Sequence, residues 1–173
     1  MCLCTGRPTS GKVPIRFGTY NIRNGPNSGL EAELRGMSQT NMGLCILQET
    51  KLTDGIYTRG SAGYSVVATD ALSRHRGGVA IFYRSGPNFA VEAARKFGPN
   101  VIVFQLVTGT RRWFIVECYL APDDTSTMER FVEALRSRPR GAELMVAGDF
   151  NVKLATPEGD RRAEDIATTL AKE

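Results

Sequence analysis

Five polar residues in this sequence could carry chemistry, and each falls at or near the end of an apolar segment. They are Asn21, Glu49, Tyr119, Asp149 and Asn151. Carboxylates can bind cations, while carboxamides and a phenol can donate hydrogen bonds to an anion. In layered α/β folds, side chains at the carboxyl ends of strands line ligand sites, because the sheet holds them rigidly and the loops leave that end open. The spacing therefore predicts a ligand site built from several strand ends.

Taken singly, these residues have ordinary structural explanations. An Asn that closes a strand usually serves a turn. Glu49 could lie on a solvated edge, and Gly-Asp-Phe-Asn at 148–151 is short enough to be a simple turn. The functional interpretation therefore depends on all five residues occurring together and in order.

Hydrophobic periodicity predicts a mixed α/β fold that would position these residues. The predicted strands are 13–22, 44–47, 64–68, 78–83, 101–107, 112–119 and 144–147, and predicted helices begin at 28, 126 and 161. Ser28-x-x-Glu31 and Ser126-x-x-Glu129 have the spacing of capping boxes. A short Gly-containing connection predicts that 101–107 and 112–119 form a hairpin. Residues 1–13 lack periodicity and are predicted to be a flexible arm before a single domain at 14–173.

Length and composition limit the class of protein. The chain has 173 residues, of which 42% are hydrophobic, enough for one domain with a core. Its longest uninterrupted apolar run, 79–83, is far shorter than the roughly 20 residues that a membrane span needs. The N-terminus lacks the apolar stretch of a signal peptide, and the four cysteines show neither a disulfide ladder nor zinc spacing. We therefore expect an intracellular protein, with the nucleus as one option, and neither secretion nor a membrane partner.

The net charge is a weak guide to partners. It is only +4, but 17 of the 22 cations are arginine, the side chain best shaped for bidentate contact with phosphate. A solvated surface explains these charges as well as a phosphate-rich partner does. The charge balance alone does not identify a nucleic-acid-binding protein.

Four short motifs, taken in order, resemble those of the endonuclease/exonuclease/phosphatase superfamily of metal-dependent phosphoesterases. They are Thr-Tyr-Asn-Ile at 19–22, Leu-Gln-Glu-Thr-Lys at 47–51, Tyr-Leu-Ala-Pro-Asp at 119–123 and Gly-Asp-Phe-Asn at 148–151. The resemblance covers about residues 15–153. Tyr-Asn-Ile-Arg-Asn-Gly at 20–25 and Arg-His-Arg-Gly-Gly at 74–78 are most similar to the endonuclease domains of non-LTR retrotransposons, and abasic-site endonucleases share the Gln-Glu-Thr-Lys box.

The resemblance implies a fold, a cofactor and a role for each of the five residues. The fold would be a four-layer sandwich of two mixed sheets flanked by helices, and the cofactor Mg²⁺ or Mn²⁺. Glu49 would be the principal metal ligand, and Asn21 would support the same site. Asp149 would orient and activate the attacking water, while Asn151 and Tyr119 would donate hydrogen bonds to the phosphate. The implied partner is the backbone of DNA, or of RNA, and no protein partner is identifiable.

The sequence departs from the family pattern in its second half. The family's terminal Ser-Asp-His and second-half aspartate have no counterpart before Glu173. The single histidine, His75, lies in a basic turn that matches no catalytic position. We therefore expect an incomplete sandwich whose C-terminal part is missing, and no activity from this chain in isolation. Lys51 and Arg23 could add positive charge to the part of the site that is present.

Three functional hypotheses remain open from the sequence. The first is a metal-dependent DNA endonuclease that cuts one strand by phosphodiester hydrolysis. The second is a truncated, inactive remnant with at most weak binding of metal or nucleic acid. The third is a phosphoesterase of the same fold that acts on RNA or on a small molecule.

Overall fold

The computed structural model of this protein describes residues 15–23, 28–52, 63–73, 75–84, 90–122, 124–152 and 157–172. In chain order, these residues form β1 Phe17–Asn21, α1 Ser28–Thr40, β2 Leu44–Gln48, β3 Ser65–Ala68, β4 Val79–Tyr83, β5 Ala90–Lys96, β6 Val101–Thr108, β7 Arg111–Tyr119, α2 Thr125–Arg136, β8 Glu143–Asp149 and α3 Pro157–Lys172. The arm predicted at 1–13 lies outside the described residues. Of the helices in the described part of the chain, none is long and apolar enough to cross a membrane.

The strands form two four-stranded sheets, each built from one continuous part of the chain. The first sheet has the order β1-β2-β4-β3, and the second has the order β5-β6-β7-β8. β1 pairs with β2 and β7 pairs with β8 in parallel, and the other neighbours are antiparallel. A helix joins each parallel pair, α1 in the first sheet and α2 in the second, because parallel strands need a crossover connection. The predicted α/β class with two mixed sheets is confirmed.

Apolar residues cover both faces of each sheet. The core between the sheets includes the buried residues Leu44, Ile46, Val79, Ile81, Ile102, Phe104 and Ile115. On the outer faces, the first sheet shares a core with Met37 of α1, and the second with Phe131 of α2 and Ile166 of α3. Because successive side chains of a strand point to opposite faces, β7 serves two cores, with Ile115 facing the first sheet and Val116 facing the helices. The predicted four layers, helices outside and two sheets inside, are therefore present.

Three local features differ from the sequence predictions: the start of α3, which is Pro157 and not residue 161, the strand β5 and the N-cap of α2. Periodicity does not predict β5, whose sequence Ala-Val-Glu-Ala-Ala-Arg-Lys is poor in β-branched and aromatic residues and mostly exposed. Its pairing with β6, rather than a buried face of its own, defines it as a strand. The N-cap of α2 is Asp124, whose carboxylate accepts the backbone N–H of Thr127, and not Ser126 of the predicted capping box. Asp is as good an N-cap as Ser, because either side-chain oxygen can satisfy a free N–H of the first turn.

Candidate active site

The strand ends that were predicted to carry the site meet at one edge of the sandwich. Asn21 is the last residue of β1 and Glu49 follows β2, while Tyr119 and Asp149 are the last residues of β7 and β8. The parallel pairings place Asn21 opposite Gln48, and Tyr119 opposite Asp149. Each sheet therefore presents the carboxyl ends of two neighbouring parallel strands, and side-chain contacts join the two sets.

Asn21 links the carboxylates of the two sheets. Its Nδ2 donates hydrogen bonds of 2.8 Å to Glu49 Oε1 and of 2.8 Å to Asp149 Oδ2. Its Oδ1 accepts the backbone N–H of Arg23 at 3.2 Å, which fixes the direction in which the amide points. One carboxamide therefore holds two carboxylates that belong to strands 100 residues apart in sequence, the distance from 49 to 149.

Tyr119 lies beside the same carboxylates. It is 8% exposed, and its phenol is close enough to the side chains of Glu49 and Asn151 for both to shift its pKa. Burial raises the pKa of Tyr119, and the charge and hydrogen bond of Glu49, together with the charge of Asp149, raise it further. The interaction with Asn151 acts in the opposite direction and cancels only part of this increase in pKa. The phenol therefore stays protonated at neutral pH and can donate a hydrogen bond.

Asn151 completes the set of five predicted residues. Its backbone N–H donates to Asp149 Oδ1 at 3.0 Å, and its side-chain Nδ2 donates to the carbonyl oxygen of Leu120 at 3.0 Å. Both oxygens of Asp149 thus accept one hydrogen bond each, one from Asn151 and one from Asn21. The orientation of the Asp149 carboxylate is therefore fixed, while each oxygen keeps a lone pair for a further partner.

The backbone at the site has positive φ angles, which residues other than glycine rarely adopt. The φ angle is 45° at Arg23, 52° at Glu49, 54° at Lys51 and 49° at Asn151. The only other non-glycine residue with positive φ in the described ranges is Asn41, just after α1. Such conformations cost about 1–3 kcal/mol each and cluster at functional sites. The loops that follow β1, β2 and β8 therefore share a strained backbone at the candidate site.

Gly148 allows β8 to approach β7 immediately before Asp149. Its φ is +144°, and a Cβ at this position would lie 1.9 Å from the carbonyl oxygen of Cys118. No side chain fits that space, so the glycine of the Gly-Asp-Phe-Asn motif is required by the strand contact. The close approach brings the ends of β7 and β8 together, and the backbone N–H of Leu120 continues the pairing by donating to Asp149 O at 2.9 Å.

The Gly-Gly pair that precedes β4 supports the loop that carries Glu49. The backbone N–H of Thr50 donates to Gly78 O at 3.1 Å, and that of Lys51 donates to Gly77 O at 3.0 Å. Gly78 in turn donates its N–H to the buried Oδ1 of Asn100, at 3.1 Å, just before β6. Gly77 and Gly78, the last two residues of the motif that resembles retrotransposon endonucleases, thus connect the Glu49 loop to the second sheet.

Of the further charged residues named from the sequence, Lys51 and Arg23 lie at the site, whereas His75 lies in a separate turn. The amino group of Lys51 donates to the backbone carbonyl of Arg23, so the loops after β1 and β2 are joined at the site. Arg23 is exposed and Lys51 is half-buried. His75 is exposed in the turn between Ser73 and Arg76 and donates its backbone N–H to the Ser73 hydroxyl at 3.2 Å.

Two further polar residues support the site and were not predicted from the sequence. Arg162 of α3 donates through Nη2 to the carbonyl oxygens of Leu120 at 2.8 Å and Ala121 at 3.2 Å, directly after Tyr119. Glu117, inside β7, accepts a hydrogen bond of 2.8 Å from Gln48 of the other sheet. A glutamate within an apolar strand sequence was the available signal for Glu117, whereas nothing in the helical pattern distinguishes Arg162 from a surface arginine.

The donor set fits a hard divalent cation. Glu49 and Asp149 bring two carboxylates to one amide nitrogen, and Mg²⁺ in proteins takes one or two carboxylates and keeps several waters. The described residues form no cluster of three or more His, Cys, Asp or Glu side chains, so two carboxylates are what this part of the chain offers. The nitrogen of Asn21, and not its oxygen, faces them. The predicted roles of Asn21 and Glu49 as metal ligands stay predictions.

The architecture and the site together define the class of this protein as a four-layer α/β sandwich with an acidic site at the strand ends. The model of the endonuclease/exonuclease/phosphatase family matches residues 18–167. The chain belongs to this family, as the four motifs predicted. A comparison with curated proteins finds no match.

Solved structures share the fold at low sequence identity. The endonuclease domain of TRAS1, a telomere-specific non-LTR retrotransposon, superposes with a TM-score of 0.65 at 19% identity, covering 90% of this chain and 71% of that one. The AP endonuclease LMAP from Leishmania major gives a TM-score of 0.64 at 18% identity, covering 90% and 66%. A mannosyl-6-phosphatase from Bacteroides thetaiotaomicron gives 0.58 at 12% identity, covering 88% and 71%. This chain therefore spans 66–71% of the length of these three structures.

Proposed function

We propose that this protein hydrolyses phosphodiester bonds with a divalent metal ion, Mg²⁺ or Mn²⁺, and that its substrate is DNA, as for an endonuclease of the retrotransposon type. The observation that carries the proposal is the Asn21 amide nitrogen, 2.8 Å from both the Glu49 and the Asp149 carboxylates. Two carboxylates held this close repel each other, and a cation relieves the repulsion. Membership of the family supports phosphoester chemistry.

The choice of DNA is supported by the neighbours and by the charge of the chain. A non-LTR retrotransposon endonuclease domain and an AP endonuclease share the fold, as does a 3′ phosphatase from Neisseria in a structure with a product DNA hairpin. The cations of this chain are mostly arginine, which contacts phosphate through two donors at once. An intracellular location, with the nucleus as one option, belongs to the same proposal.

Each residue of the site has a chemical role in the proposal. A bound metal ion would stabilise the negative charge that grows on the phosphate oxygens, and Glu49 would hold it with Asn21 alongside. Asp149, whose two oxygens are already oriented, would take the proton of the attacking water. The protonated phenol of Tyr119 and the amide of Asn151 would donate hydrogen bonds to the phosphate.

The site formed by the described residues holds no imidazole. His75, the only histidine of the sequence, is exposed in the 73–76 turn. The family's Ser-Asp-His is absent from the printed sequence. We therefore propose that these residues form one part of the catalytic site, and this observation favours the inactive remnant as the second candidate for the isolated chain. Removing several members of one catalytic unit brings the rate close to background.

Nicking of supercoiled plasmid tests the proposal. Residues 1–173 in Mg²⁺ or Mn²⁺ should nick no faster than their Asp149→Ala variant. A fusion of this chain to a family C-terminal half that ends in Ser-Asp-His should nick, and Glu49→Gln or Asp149→Ala in the fusion should cost about 100–1,000-fold. Asp165→Ala, which removes an exposed carboxylate on α3, is the matched control and should leave nicking unchanged.

The outcomes separate the three hypotheses. A folded fusion that nicks equally well without Asp149 would refute the proposed site. A fusion that leaves DNA intact but hydrolyses RNA or a small phosphoester, with the same dependence on Asp149, would favour the third hypothesis. Asp149-dependent nicking by residues 1–173 alone would keep the function and reject the proposal that the site is partial.

A further inference from the structure

A second set of polar residues joins the two sheets directly beneath the candidate site. Nε2 of Gln48 donates to Glu117 Oε1 at 2.8 Å and to Thr19 Oγ1 at 3.0 Å. Gln48 and Thr19 belong to β2 and β1 of the first sheet, and Glu117 belongs to β7 of the second. The hydrogen bond between Gln48 and Glu117 therefore crosses from one sheet to the other inside the core.

Burying the carboxyl group of Glu117 at this position costs folding free energy. Its side chain is 0% exposed, and its partners in the neighbouring strands are Ile102 and Ala147. Its second oxygen, Oε2, has no hydrogen-bond partner among the described residues. Burial raises the pKa of Glu117 well above its ordinary value, and the hydrogen bond from Gln48 lowers it only in part, so the neutral acid is favoured. An apolar side chain would pack here at lower cost, which indicates that the hydrogen bond itself matters.

The polar layer formed by Thr19, Gln48 and Glu117 lies one or two residues before the site residues on the same strands. Gln48 is the last residue of β2, and Glu49 follows it. Glu117 precedes Tyr119 by two residues on β7, so both side chains point into the space between the sheets. A shift of one sheet against the other at the Gln48–Glu117 contact would therefore reach the site within one or two residues.

We propose that Glu117 is a positioning residue for the candidate active site: its hydrogen bond with Gln48 sets the separation between Glu49 of the first sheet and Asp149 of the second. The proposal rests on the proposed function, because it takes these two carboxylates as the metal site. Asn21 joins the same carboxylates where water can compete for its amide, since it is half-buried. The Gln48–Glu117 contact is buried in the core, where the low dielectric makes a hydrogen bond stronger.

Mn²⁺ binding and the side-chain amide of Asn21 test this role in residues 1–173. Glu117→Leu keeps the volume of the side chain but removes the acceptor, and it should weaken Mn²⁺ binding by about 10–100-fold, as loss of a residue that orients metal ligands does. Glu117→Gln keeps an acceptor for Gln48 and should retain the affinity of the parent chain. Ile115→Val changes the same face of β7 without touching the polar layer and should also retain it.

The second measurement requires no metal. The Asn21 Nδ2 hydrogens, bound by both carboxylates, should give a shifted and slowly exchanging NMR signal in the parent chain and in Glu117→Gln, and this signal should be lost in Glu117→Leu. Folded Glu117→Leu protein with unchanged Mn²⁺ affinity and an unchanged Asn21 signal would overturn the proposal. If the parent chain binds no Mn²⁺, the proposed metal site fails, and the Asn21 signal alone decides whether Glu117 positions the carboxylates.

Gln48→Leu provides the test if Glu117→Leu does not fold. This change removes the donor of the same hydrogen bond from the first sheet and leaves Glu117 in place. It should weaken Mn²⁺ binding and remove the shifted Asn21 signal, as Glu117→Leu does, whereas Thr19→Val keeps the Gln48–Glu117 bond and should have a smaller effect. Folded Gln48→Leu protein with no effect on either measurement would overturn the proposal.

Discussion

At the residue scale, the candidate site depends on one carboxamide that keeps two like charges together. The nitrogen of Asn21 lies 2.8 Å from an oxygen of Glu49 and 2.8 Å from an oxygen of Asp149. The amide carries only a partial positive charge, so it offsets the repulsion between the carboxylates incompletely. A divalent cation would offset it far better, which gives the proposed metal site a physical basis independent of the family resemblance.

Mg²⁺ binding should therefore depend on Glu49. Calorimetric titration of residues 1–173 should give an affinity no tighter than about millimolar, because few protein ligands are present. Glu49→Gln removes the charge of the ligand while keeping its shape, and it should abolish the signal. Glu133→Gln, an exposed position on α2, serves as the control for the loss of one negative charge. Unchanged binding in Glu49→Gln would place the metal elsewhere.

The buried Glu117 predicts a pH dependence of stability. Its pKa in the folded protein is well above the ordinary value of 4.5 that applies to the unfolded chain. Its contribution to stability is therefore full below pH 4.5 and is lost as the pH rises toward the folded-state pKa. Across that window, the free energy of unfolding should fall by up to about 1.4 kcal/mol per pH unit through this group.

A comparison of the parent chain with Glu117→Gln isolates this effect. Glutamine does not titrate, so the parent chain should lose stability relative to Glu117→Gln as the pH rises from 5 toward 8. The difference in unfolding free energy between the two proteins should therefore change in favour of the variant. Urea denaturation at several pH values measures it. A constant difference across this range would mean that the folded-state pKa of Glu117 lies close to its ordinary value.

At the element scale, two parallel strand pairs create the site, and their spacing depends on Gly148. A Cβ at Gly148 would come within 1.9 Å of the Cys118 carbonyl oxygen, so any side chain must push β8 away from β7. Tyr119 and Asp149 are paired at the ends of these strands, and the displacement would fall on them directly.

Gly148→Ala should therefore destabilise the protein and weaken its Mn²⁺ binding. The positive φ and the contact with the backbone together should cost at least about 1–3 kcal/mol in unfolding free energy. Gly36→Ala, in α1, is the matched control, because its Cβ would meet nothing within 4 Å, and it should be neutral or stabilising by up to about 1 kcal/mol. Equal thermal shifts in the two variants would contradict this explanation of Gly148.

The sequence predicted the elements whose apolar pattern is strong and whose ends carry polar motifs. The segments of β2, β6, β7 and β8 could be found because each contains an uninterrupted apolar run, and the ends of β2, β7 and β8 located Glu49, Tyr119 and Asp149. β5 could not be predicted, because this exposed edge strand shows no alternation of apolar and polar residues. The role of Glu117 could not be predicted either, since its partner Gln48 is 69 residues away and only the packing of the two sheets brings them together.

At the scale of the whole molecule, the two sheets cover each other's inner faces, and apolar exposure remains at a sheet edge. β8 ends the strand order of the second sheet in the described residues, and its apolar residues Leu144, Met145 and Val146 are only half-buried. An edge strand of this kind can pair with another chain. Size-exclusion chromatography with light scattering should therefore show species larger than the 18.9 kDa monomer, and increasingly so at higher concentration. A single monomeric peak with cooperative melting would contradict this expectation.

Because each sheet is continuous in sequence, the chain can be divided between β4 and β5 into two fragments that each contain one whole sheet. One fragment then contains the Glu49 carboxylate, and the other contains the Asp149 carboxylate. Neither fragment should bind Mn²⁺ alone, whereas mixing them should restore binding if the sheets reassociate through their shared core. The protein could thus be used as a split reporter, in which metal binding indicates that two separately expressed fragments have associated.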